Sequence, residues 1–107
     1  MERKMTNDER SPWLKSTARM LARAYPDERL PKSDYFALIK VLLNHASQRN
    51  VTDALSTFQG FNRGITYNDV LGIDAGDTVV PSVDLERVLE RLRGGGYEAW
   101  LLEQEQL

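Results

Sequence analysis

The sequence predicts an all-α fold, a compact bundle of five helices with an optional short sixth and no significant sheet. Three features carry this reading. Apolar residues recur at helical spacing in five separate stretches, helix-stopping residues fall between those stretches, and no two runs alternate as paired strands would. In the most apolar stretch, 34–46, Tyr35, Leu38, Ile39, Leu42 and Ala46 lie at i, i+3, i+4, i+7 and i+11. Phe36, Val41 and Leu43 widen that stripe until only Lys40, Asn44 and His45 mark a solvent side. A helix apolar around most of its girth needs cover from several directions. Trp13, Leu21, Leu55, Phe58, Leu85, Val88 and Leu92 are the residues expected against it.

Taken in order, residues 1–10 are mostly charged or polar and read as a flexible lead-in to a single helical domain over 11–107, although Thr6 and Glu9 have capping-box spacing. Ser11 as cap and Pro12 in the first helical position open a helix, because proline lacks the N–H that would go unpaired there. Trp13, Thr17, Leu21 and Tyr25 form its inner row, and the helix stops before Pro26. Pro26 and Pro31 stiffen the connection that follows, leaving Leu30 to tuck under the helices. Ser33 or Asp34 then caps the central helix, which ends around 47–50. Asn50, with Asp53 three residues on, starts a third helix bearing Val51, Ala54, Leu55 and Phe58, and Gly60 stops it with Phe61 in contact.

Thr66 and Asp69 have capping-box spacing, with Ile65 and Val70 in the staple positions, so a fourth helix is expected from 66 to 75. Gly72 weakens it and Gly76 closes it, leaving 77–81 as an extended link. Ser82 caps a fifth helix with Leu85, Val88, Leu89 and Leu92 on one face. Asp84 and Glu86 in its first turn and Arg91 and Arg93 in its last suit the helix dipole. Gly94, Gly95 and Gly96 end it. Tyr97, Trp100 and Leu101 then have helical spacing in the tail.

Composition narrows the function classes. With 14 Lys+Arg against 16 Asp+Glu, the chain lacks the basic balance of a dedicated nucleic-acid binder. It has no cysteine, which excludes disulfides and thiolate metal sites. No run nears the roughly 18 apolar residues of a membrane span, and no apolar segment follows the first charges, so a cytoplasmic protein away from the membrane is expected. His45 is the only histidine, so two-histidine metal sites and a Ser-His-Asp arrangement with a spare base cannot be built, and it reads as a packing residue or a partner of the helix dipole. Asp69, Asp74, Asp77 and Asp84 lack EF-hand spacing and read as caps and loop residues. The glycines after Arg93 follow a helix, whereas a phosphate-cradling loop precedes one, so they read as a stop with a flexible exit.

Residues Tyr25, Pro26, Pro31 and Asp34, the section leading to Asp69 and Val70, and then Pro81, Asp84, Arg87, Val88, Leu92, Gly96 and Tyr97 resemble a family of small actinobacterial and mycobacterial proteins catalogued as a domain of unknown function. The resemblance covers about residues 13–97. It departs at 27–29, one residue longer than the family's glycine turn, and at Tyr97 and Glu98, where the family often has Trp-Pro. It implies an all-helical fold and no established activity.

These observations assign no catalytic, cofactor-binding or metal residue. The expected function is a non-enzymatic protein–protein interaction or accessory module, its partner an unknown protein or a second copy of the chain. The candidate surface is Tyr97, Trp100, Leu101 and Leu102, which either closes its own core or meets that partner. The alternative is a small DNA-binding, helix-turn-helix-like regulator built from 51–58 and 66–75. Its reading helix would carry Asp69 and Asp74 without Lys or Arg, which disfavours phosphate contact.

Overall fold

The first helix opens at Pro12 and stops at Ala24, two residues before Pro26, as the loss of a donor at proline requires. The computed structural model describes residues 12–26 and 30–104. The expectations for the lead-in, for Thr6, Glu9 and Ser11 and for the turn at 27–29 fall outside them. Among the described residues there are six helices and no strand. They are α1 (Pro12–Ala24), α2 (Lys32–Leu43), α3 (Gln48–Gln59), α4 (Arg63–Ala75), α5 (Ser82–Gly94) and α6 (Tyr97–Gln104).

Stops follow the sequence more closely than starts do. Gly60 and Gly76 close α3 and α4 at φ 70° and 84°, a left-handed conformation that glycine adopts without a Cβ penalty. The starts shift. α2 and α5 begin behind Pro31 and Pro81, whose carbonyls accept from the amides of Tyr35 and Leu85, so neither Ser33, Asp34 nor Ser82 caps by its side chain. α2 also ends earlier than expected, at Leu43, where the Asn44 and His45 amides reach back three residues to Val41 and Leu42 and tighten the exit. Ser47 replaces Asn50 as the cap of α3, its hydroxyl accepting from the Asn50 amide at 3.1 Å. Asn62 replaces Thr66 as the cap of α4, accepting from the Ile65 amide at 3.0 Å. Thr66 is needed elsewhere, for it is buried with Val70 and Ile73 on the inner face of α4. The expected staple is therefore absent, and Ile65 points outward.

The central helix is as enclosed as its sequence demands. Ala37, Leu38, Ile39, Val41 and Leu42 are buried, while Lys40, Asn44 and His45 lie at the surface. All seven residues expected against it belong to the same core, yet the backbones of α1 and α2 do not come close to one another. α3 and α5 each touch both α1 and α2 and so stand between them. α4 leans on α2 and α3, and α6 leans on α1 and α5.

One buried charge lies at the convergence of three elements. Asp34, 3% exposed in the first turn of α2, takes the Tyr25 hydroxyl on Oδ2 at 3.0 Å and Arg87 Nε and Nη2 on Oδ1 at 2.9 and 2.6 Å. Arg87 reaches from α5 and also donates to Asp84 and Ser33. A buried carboxylate is tolerated when both oxygens are hydrogen-bonded and a cation is near, and here they are.

The glycine run after α5 is a packing site as well as a stop, which corrects the expectation of a flexible exit. A Cβ on Gly95 would lie 2.7 Å from the Ala24 backbone nitrogen, and the Gly95 carbonyl accepts from Arg23 Nε at 2.8 Å. The absent side chain lets the end of α5 close on the end of α1. Gly94 has no neighbour at that position. Gly95→Ala is therefore expected to destabilise the protein by about 1–3 kcal/mol in urea unfolding, as overpacking does, while Gly94→Ala is neutral or raises stability by up to about 1 kcal/mol. Equal effects from the two substitutions would contradict the close approach.

Candidate functional site

The residues expected to form an interaction surface are placed on α6, and most of that surface is turned inward. Trp100 is 1% exposed and donates from Nε1 to Thr17 Oγ1 at 2.9 Å. Its ring lies 6.3 Å from Trp13 and 5.7 Å from Tyr97. Tyr97 and Leu101 are half-buried against the core, and Leu102 alone of the four is open, at 62%. Glu103 accepts from the Ser16 hydroxyl at 2.7 Å and lies 3.8 Å from Arg19. Trp100 therefore closes its own domain and is not available at a surface.

His45, in the turn after α2, shares a 2.9 Å hydrogen bond with the Tyr97 hydroxyl and stands edge-on to Trp100 at 5.4 Å. Although His45 lies at the surface, partial desolvation of its ring against Tyr97 and Trp100 holds the imidazole below its usual pKa, and burial pushes the Tyr97 phenol up. With Lys40, Asn44, Leu85 and Leu89 these residues line a depression of about 340 Å³.

The four aspartates diverge. Asp69 accepts from the Tyr35 hydroxyl at 2.6 Å, Asp74 from Gln48 at 2.6 Å and Asp84 from Arg87 at 2.8 Å. Asp77 stays exposed in the link. Among the described residues no three His, Asp or Glu side chains gather as a metal site would need. α3 and α4 do pack side by side, joined by the short connection of Gly60, Phe61 and Asn62. Arg63, the one basic residue of α4, is tied to Asp53, leaving Tyr67, Asn68 and Asp74 on its open face.

A candidate site lies where the first turns of α2 and α4 meet. Leu30, Lys32 and Tyr35 on one side and Phe61, Asn62, Ile65, Thr66 and Asp69 on the other enclose a groove of about 370 Å³. Its walls are mainly apolar, with a few polar groups converging on it, which is the composition of ligand sites in general. Tyr35 is fixed by Phe36 at 5.2 Å and Phe61 at 5.4 Å, the latter edge-on. Burial first, and then the bond to Asp69, push the Tyr35 phenol far above its usual pKa, so it remains a donor. Ile65 forms the rim at 64% exposure.

Sequence reasoning placed Tyr35 in the core stripe and gave Ile65 and Asp69 to a cap, so it missed this groove. The signal was Asn62. Starting α4 there puts Thr66, Val70 and Ile73 inward and leaves Ile65 outside. Comparison with known protein families, with curated proteins and with solved structures gives no match. No helix among the described residues is long and apolar enough to cross a membrane.

The neutral state of His45 has a consequence for stability. Because its folded pKa lies below its ordinary 6.5, unfolding takes up protons as the pH falls past that value. Stability is thus fully present above the unfolded pKa and is lost toward and through the folded one. Urea midpoints should drop between about pH 7.5 and about pH 5.5, and should drop less in His45→Gln. Equal drops would show that His45 carries none of the dependence.

Proposed function

We propose that the protein is a non-enzymatic binding module and that the groove between α2 and α4 receives a segment of a protein partner. The observation that carries this reading is the groove itself, an open, mainly apolar groove lined by Ile65 at 64% exposure and by the mutually packed rings of Tyr35 and Phe61. A large aliphatic residue held out at the edge of an apolar depression lowers its free energy when a partner covers it. The inward docking of Trp100 moves the emphasis from the tail to this groove.

Affinity capture from native lysate tests the reading when wild type is compared with Ile65→Asp. Ile65 is exposed, so the substitution should leave thermal stability within about 0.5 kcal/mol of wild type. A partner enriched by wild type and lost with Ile65→Asp is the expected result. Retention of every partner by the variant, or no enriched partner at all, would contradict it.

A further inference from the structure

We propose that the occupant of the groove is a basic segment of the partner, a lysine or arginine whose stem lies along Tyr35, Phe61 and Ile65 and whose charged head meets Asp69. This rests on the groove being the recognition site. Asp69 is a half-buried carboxylate at the wall of an apolar channel, and only its Oδ2 is engaged, by the Tyr35 hydroxyl at 2.6 Å. Among the described residues it makes no ion pair. Lys32, the one basic side chain among the described residues that line the groove, stands 5.9 Å from the Phe36 ring centroid and is not paired with Asp69. A partly desolvated carboxylate without a counter-ion is stabilised by an incoming cation, and the charge-assisted bond it would form is stronger than a neutral one.

The walls favour the same class. A cation drawn along Tyr35 and Phe61 lies beside two aromatic rings, a class of side chain that attracts positive charge, while its methylene stem covers apolar surface. The Tyr35 bond holds the carboxylate in place, so little ordering remains to be done on binding. Lys32 is exposed whereas Asp69 is half-buried, so an acidic segment would find its counter-charge in solvent and its like charge in the groove wall, and a neutral one would leave the carboxylate uncompensated. The open rim at Ile65 suits a chain segment, which leaves its backbone outside the groove.

Titration of the full chain with blocked tripeptides, followed by 15N amide shifts, tests the assignment. The probes are acetyl-Leu-Lys-Leu-amide, its Gln and Glu counterparts, and n-butylamine as the free cation. The lysine peptide should move the amides around Tyr35, Phe61 and Ile65 and bind about tenfold tighter than the glutamine peptide, with the glutamate peptide weakest. In Asp69→Asn, which keeps an acceptor for Tyr35, the lysine preference should shrink to near unity. Equal binding of the lysine and glutamine peptides at the groove would overturn the cationic occupant while leaving the groove as the recognition site. Butylamine binding as tightly as the lysine peptide would overturn the chain segment as its source. No groove shift with any probe would overturn both readings together.

Discussion

The arrangement of this bundle depends on a single buried carboxylate. Asp34 sits in the first turn of α2, where it joins the exit of α1 through Tyr25 to α5 through Arg87. Burial and the Asp34 bond both push the Tyr25 phenol upward in pKa, so it stays a donor, and Arg91 covers its ring at 4.5 Å. Neither oxygen of Asp34 is left without a donor. A carboxylate held from two directions fixes the relative placement of elements that apolar packing alone would allow to slide, because dispersion and hydrophobic burial carry little directional information.

The far end of the chain works as a seal on that frame. Gly95 allows α5 to end directly against Ala24, and the turn through Gly96, at φ 92°, sends α6 back along α1. Trp100 then packs beside Trp13 of α1 with its indole nitrogen satisfied by Thr17, which is buried within an otherwise apolar row. His45 closes the same corner from α2 through Tyr97. The aromatic tail is therefore explained by the interior, and no residue of α6 lines the groove between α2 and α4.

Much of the helical architecture was legible in the sequence, and what was not has a definite physical origin. The stops at Gly60 and Gly76 are local events, set by a backbone conformation that few residues other than glycine tolerate. Starts are contests between two acceptors a turn apart. Ser47 prevailed over Asn50, and Asn62 over Thr66, because Val51 and Thr66 are drawn into the core, a demand that local spacing does not display. Asp34 looked like a cap for the same reason. Its real partners lie 9 and 53 residues away, beyond any window of periodicity. The groove was hidden likewise, since Tyr35 and Asp69 are 34 residues apart and meet only when α4 begins at Asn62.

The groove and the carboxylate cluster share α2, so the position of Tyr35 in the groove follows from the seating of Asp34 one residue earlier. That dependence makes the Asp34 cluster the central element of the account. A double-mutant cycle of Tyr25→Phe and Asp34→Ala, read by urea unfolding, tests it most directly. Removing one partner leaves the other buried and unsatisfied, so the two losses should fall short of adding, with a coupling of about 1–2 kcal/mol. Losses that add to within about 0.3 kcal/mol would contradict the claim that this bond helps to hold the bundle together.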